Sequence, residues 1–219
     1  MGTWILLIIA GCSTVHGIKP VGKGAIVAEG SLGGPITELY GAPIPLPLST
    51  LGATYGLTDR VDVHAAAHTT AILALNIVAA DAGASYMFLD QDGAVPRVMG
   101  DLTLVGAFGD NEPGEPAGGL RGFVQPTVSA SWDWGKLRRQ TVYGALGAFI
   151  EPKPGPHLLS YIGVGNLWGV GDRLQLVSEL KWISPYASSF DLAPVYYSPG
   201  SLGAVSLQLG ARFRFGGVQ

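Results

Sequence analysis

Residues 202–215 read LGAVSLQLGARFRF, and from Val205 onward the alternation is unbroken. Val205, Leu207, Leu209, Ala211, Phe213 and Phe215 fall on one side; Ser206, Gln208, Gly210, Arg212 and Arg214 fall on the other. Successive side chains of a β-strand point to opposite faces, so the pattern predicts a strand with one apolar and one polar face. Its length matches the roughly 9–11 residues that a tilted strand needs to cross a bilayer. One such strand exposes both edges, so the chain must supply partners of the same kind.

It does so repeatedly. Residues 24–33 alternate weakly around Glu29, and 48–56 place Leu51, Ala53 and Tyr55 opposite Thr50, Gly52 and Thr54. Residues 61–68 set Asp62, His64 and His68 against Val61, Val63, Ala65 and Ala67. Further strands are predicted over 76–89, 97–109, 120–132, 137–150, 158–169 and 173–183. The connections differ in kind. Residues 58–60, 92–93, 133–136 and 171–172 form tight turns. Between them lie a longer link at 69–75 and proline-bearing ones at 34–47, 110–119, 151–157 and 184–201. Proline cannot donate to a sheet ladder, so the proline-rich stretches read as loops.

The expected architecture is therefore all-β: an antiparallel up-and-down transmembrane β-barrel of about ten strands over residues 24–215. Residues 216–219 form a short C-terminal tail. The pattern resembles small bacterial outer-membrane barrels as a broad class, which have short periplasmic turns and longer outer loops. That resemblance implies the outer membrane of a Gram-negative bacterium, with both termini periplasmic. It implies outer-membrane lipid and the barrel-insertion machinery as partners, Phe213 and Phe215 being a plausible insertion signal. Tyr55, Tyr86, Phe88, Trp132, Trp134, Phe213 and Phe215 cluster at the tight-turn ends, as an interfacial girdle does.

Composition agrees. Charged residues make up 13 % of the 219, Gly numbers 33, and mean hydropathy is +0.33. Beyond the first dozen residues no apolar run approaches the ~18 of a membrane helix. A net charge of −3 gives no basic surface for nucleic acid. The single cysteine excludes a disulfide framework or a cysteine-based zinc cluster.

That cysteine sits near the start. Trp4 to Ala10 is an apolar core of signal-peptide length. Ile9-Ala10-Gly11-Cys12 resembles the bacterial lipobox, although no Lys or Arg precedes the apolar core. The resemblance implies a signal peptide over 1–11, acylation of Cys12, and a lipidated tether over 12–23.

The inward-facing polar set comprises Glu29, Asp62, His64, Asp81, Asp101, Arg121, Arg139, Glu179, Lys181, Arg212 and Arg214. In a narrow lumen a lone charge is costly, so these groups should pair into a polar plug, Arg212 and Arg214 with Asp62, Asp101 or Glu29. An open selective pore is the alternative. His64, His68 and Asp81 could meet across strands, yet no catalytic motif accompanies them: the Asp-Asp and Asp-His couples of omptin proteases and the marks of lipid A deacylases are missing. Asp90-Gln91-Asp92-Gly93 lacks the later ligands of a calcium loop. Neither a catalytic residue, a metal site nor a cofactor is expected. The leading function is a non-enzymatic structural or surface-binding barrel. The alternatives are a narrow passive channel for small solutes, a soluble periplasmic β-barrel lipoprotein, and an outer-rim enzyme acting on lipid or peptide.

Overall fold

The computed structural model describes residues 14–39, 42–74, 77–109, 119–135, 139–152, 157–189 and 198–216. Cys12 and the signal segment, most of the loops 110–118 and 190–197, and the tail after 216 lie outside them. The strands are β1 (Ile26–Leu39), β2 (Ala42–Pro45), β3 (Leu48–Gly56), β4 (Val61–His68), β5 (Ile77–Leu89) and β6 (Arg97–Gly109). They continue with β7 (Gly119–Trp134), β8 (Gln140–Glu151), β9 (His157–Val170), β10 (Leu174–Ser188) and β11 (Leu202–Phe215). Each strand pairs antiparallel with its neighbour, and β11 returns to β1 with Ile26 opposite Phe215 and Leu32 opposite Leu209. Of the eleven strands, β2 pairs only with the end of β1, so the other ten form a closed barrel with no free edge.

The faces follow the alternation. Leu51, Leu104, Leu146, Val164 and Leu209 point outward and are exposed. Their inward neighbours Thr50, Thr103, Ala145 and Gln208 are buried. At the tight-turn end the exposed Tyr86 and Phe88 meet edge-to-face, as do Phe213 and Phe215. The Trp132 indole donates to the Ala94 carbonyl there, and the Trp182 indole to that of Leu202 at the long-loop end.

Four segments depart from the expectation. The loop expected over 34–47 is instead a hairpin: β1 runs on to Leu39 and β2 folds back, Pro43 opposite Glu38. A two-strand ribbon outside the ring has an open edge, where a missing N–H breaks no ladder. The link after His68 is a short helix, α1 (Thr69–Ala74). The connection expected from Ser184 is strand to Ser188, past a register shift where Ser184 takes φ 48°.

The fourth departure is the largest. Residues 14–22, part of the 12–23 stretch expected to be a tether, run inside the barrel. Val15, Ile18 and Val21 are 4 %, 3 % and 5 % exposed. The segment enters at the tight-turn end, where the Gly24 N–H donates to the Gly56 carbonyl. It climbs until the Val15 N–H reaches Glu179. Beyond it Phe123, Phe149, Leu159, Tyr161 and Ile183 pack into an apolar core, with the buried Arg121–Glu151 ion pair toward the long-loop end. Phe149 and Tyr161 lie 5.6 Å apart, centroid to centroid.

Strand glycines make room for this filling. A Cβ on Gly165 would fall within the Tyr143 ring, which lies across that glycine. Gly165→Ala should therefore cost about 1–3 kcal/mol by overpacking, read as a shift in urea midpoint for protein folded in detergent micelles. An unchanged midpoint would mean that the Tyr143 ring has free space.

Candidate functional site

The lumen's tight-turn half is held together by wall side chains that bond the backbone of residues 15–21. Ser129 Oγ donates to the Gly17 carbonyl at 2.5 Å and Ser131 Oγ to that of Ile18 at 2.8 Å. Asp62 accepts the Val21 N–H at 3.1 Å, and Glu179 accepts the Val15 N–H at 2.9 Å. A coil in a narrow lumen cannot satisfy its own backbone, and these wall groups do it instead. Gly17 takes φ +65°, and a Cβ there would stand 3.1 Å from Ser85 Oγ and 3.2 Å from Asp101 Cβ. Both conformation and space demand glycine at that point.

Charge anchors the segment as well. Lys19 Nζ binds Asp133 at 2.8 Å, and the same carboxylate takes Arg97 at 3.1 Å and the Thr141 hydroxyl at 2.6 Å. Higher up, Glu179 receives Lys181 at 3.1 Å and the Tyr143 hydroxyl at 2.5 Å. Both side chains of that ion pair are fully buried, and Lys181 Nζ also lies 5.3 Å from the Tyr161 ring centroid. At the long-loop end Arg121 and Glu151 form a two-pronged pair of 3.0 and 3.1 Å, with Arg121 over Phe123.

Between these lies a cluster of histidines and carboxylates. His64 Nε2 is 2.8 Å from Asp101, which also accepts from Ser85 and Thr103. His68 Nε2 is 3.0 Å from Asp81. His16, from the inserted segment, stacks on His64 with centroids 4.0 Å apart and planes inclined by 15°. Its Nδ1 lies 3.3 Å from Glu29, which is also 3.4 Å from Arg212 Nε. A Cβ on Gly83 would stand 2.7 Å from the His64 ring, so only glycine lets that ring lie flat against β5.

Sequence alternation thus named residues that the structure brings together: His64 with Asp101, His68 with Asp81, Glu179 with Lys181, and Arg212 with Glu29. Arg139 is corrected. Its side chain is 45 % exposed and pairs with Asp172 at the tight-turn mouth, because the ladder begins only at Gln140. Arg214 is half-buried beside the mouth, with Nε lacking a hydrogen-bond partner. Asp62 holds backbone rather than an arginine. Sequence reasoning missed His16, Lys19, Arg97, Asp133, Tyr143 and Glu151.

No family model and no curated protein matches the chain. Among solved structures, the chain is similar to the translocator domain of autotransporter NalP from Neisseria meningitidis, at 12 % identity. That match covers 89 % of each chain with a TM-score of 0.45. The NanC porin is matched at 8 % identity over 86 % of this chain and 98 % of that one, TM-score 0.48. The outer membrane protein OprG from Pseudomonas aeruginosa is matched at 11 % identity over 91 % and 100 %, TM-score 0.37.

Proposed function

We propose that this protein is a bacterial outer-membrane barrel stoppered by its own N-terminal segment. Its role is structural or surface-binding rather than transport or catalysis. The observation that carries this reading is the course of residues 14–22 through the lumen, with apolar packing beyond them. The outward apolar belt supports a bilayer setting over a soluble periplasmic one, since exposed Leu51, Leu104, Leu146, Leu180 and Leu209 around the wall would be unstable in water. Tight turns at one end and longer connections at the other favour a periplasmic side for the start of β1 and the end of β11. Outer-membrane lipid and the barrel-insertion machinery are the partners this reading requires.

A channel is disfavoured because the chain itself fills the space a solute would need. An outer-rim hydrolase is disfavoured because the side chains of His64 and His68 are each 1 % exposed, inside the wall. Lipidation at Cys12 rests on the lipobox resemblance and competes with the stopper. Three extended residues reach only about 10 Å, so an acyl chain in the periplasmic leaflet would draw Val15 away from Glu179. Loss of palmitate labelling in Cys12→Ser would support the anchor; an unlabelled native protein would refute it.

Planar-bilayer recording tests the main reading. The folded barrel should insert without conductance steps at moderate voltage. Regular steps from inserted, heat-modifiable protein would make it a channel instead.

A further inference from the structure

We propose that the lumen holds one divalent transition-metal ion, of the kind imidazole and carboxylate favour, between His16, His64 and Asp81. One ligand atom from each of the three lies within 4.8 Å of the other two. Two of the donors, His16 Nε2 and Asp81 Oδ1, face each other at 4.0 Å, beyond hydrogen-bond reach. His16 Nε2, His64 Nδ1 and Asp81 Oδ1 are buried and lack a hydrogen-bond partner. Buried polar atoms are almost always satisfied, so three converging orphans in one place need an explanation.

The opposite side of each residue is already committed. His16 Nδ1 faces Glu29, His64 Nε2 faces Asp101, and Asp81 Oδ2 faces His68. A metal-bound histidine characteristically donates its other ring N–H to a carboxylate, which fixes the tautomer and leaves the second nitrogen's lone pair toward the ion. Both histidines are arranged in that way, and Asp81 is oriented by a third. Glu29, Asp81 and Asp101 surround the point with negative charge, and Arg212 meets this group only at Glu29. Two neutral imidazoles and a carboxylate suit Zn²⁺, Co²⁺, Ni²⁺ or Cu²⁺, and exclude the all-oxygen shell that Ca²⁺ and Mg²⁺ prefer.

Ligand atoms about 3.4 Å apart suit a tetrahedral ion with bonds near 2.1 Å. To reach that spacing the side chains must close by about 1 Å, and the His16 ring, carried on the inserted coil, must also turn out of its stacked position on His64. Three protein ligands leave a fourth position for water. Because His16 belongs to the inserted segment while His64 and Asp81 belong to the wall, the ion would tie stopper to barrel. The proposal therefore rests on the stopper reading.

The test uses the full chain folded in detergent with Co²⁺ or Zn²⁺ present during refolding, then dialysed. About one ion per chain should remain, and Co²⁺ should show the intense visible absorption of tetrahedral coordination. His16→Ala, in a coil segment where misfolding is least expected, and Asp81→Asn should each weaken affinity at least 100-fold. His68→Ala, acting through Asp81, should weaken it roughly 10–100-fold. Binding unaffected by His16→Ala and Asp81→Asn would overturn the assignment, and so would no binding by native protein. In the latter case a thiol placed at position 18 separates the causes. A protected thiol keeps the stopper and discards the metal; a reactive thiol discards both.

Discussion

Glu179→Ala should destabilise the barrel by about 3–5 kcal/mol, the cost of removing the carboxylate from a buried ion pair. Glu179 serves three groups: the Lys181 ammonium, the Tyr143 hydroxyl and the Val15 N–H. Lys181 is 0 % exposed, so the lost carboxylate leaves its ammonium in a site shielded from bulk water. The substitution also removes the highest anchor of the inserted segment. A paired replacement distinguishes these effects. Glu179→Leu with Lys181→Met removes both charges together, and a buried pair exchanged for apolar groups is often neutral or stabilising. The double variant should recover most of the loss, measured by urea unfolding in micelles. If Glu179→Ala costs less than 1 kcal/mol, the pair is solvated and the lumen is wetter than the packing implies.

Leu104→Arg should cost about 2–4 kcal/mol in a bilayer, the figure for a cation on the lipid face at the midplane. Leu104 lies mid-strand on β6 and is 59 % exposed on the outer face. In water that exposure would make the change nearly neutral, so the substitution separates a membrane barrel from a soluble one. The readout is the fraction folded in lipid vesicles by heat-dependent gel mobility, beside the reverse change at Arg60. Arg60→Leu in the exposed tight turn should leave folding unchanged.

The ring of strands was legible because side-chain alternation is strictly local. Wherever one face is apolar and the other small or polar, period two survives in the sequence, as it does in β4, β7 and β11. What failed was the point at which to stop counting. Asp133 and Glu151 were assigned to turn and loop, yet β7 and β8 extend through them and carry both inward. Arg139 suffered the reverse: its parity is inward, but it precedes the ladder and reaches Asp172 instead.

The stopper was not legible by these means. Residues 14–22 have neither strand nor helix period, and their backbone bonds go to wall side chains far away in sequence. One signal was present. Val15, Ile18 and Val21 recur every third residue, with Pro20 among them, the spacing of an extended three-per-turn coil that buries one edge. The aromatic core of the upper lumen was missed for a simpler reason. Phe123, Phe149 and Tyr161 fall on inward positions, and their bulk was outweighed by the charges on the same faces.

The most direct measurement is the reactivity of a single thiol at position 18, made as Ile18→Cys in a Cys12→Ser background. Ile18 is 3 % exposed, and its carbonyl is held by Ser131. A membrane-impermeant maleimide should leave this thiol unlabelled in the folded barrel and label it fully once urea and heat unfold the chain. Rapid labelling in the folded state, at the rate of an exposed control thiol at Lys23→Cys, would place residues 14–22 outside the lumen and contradict the account.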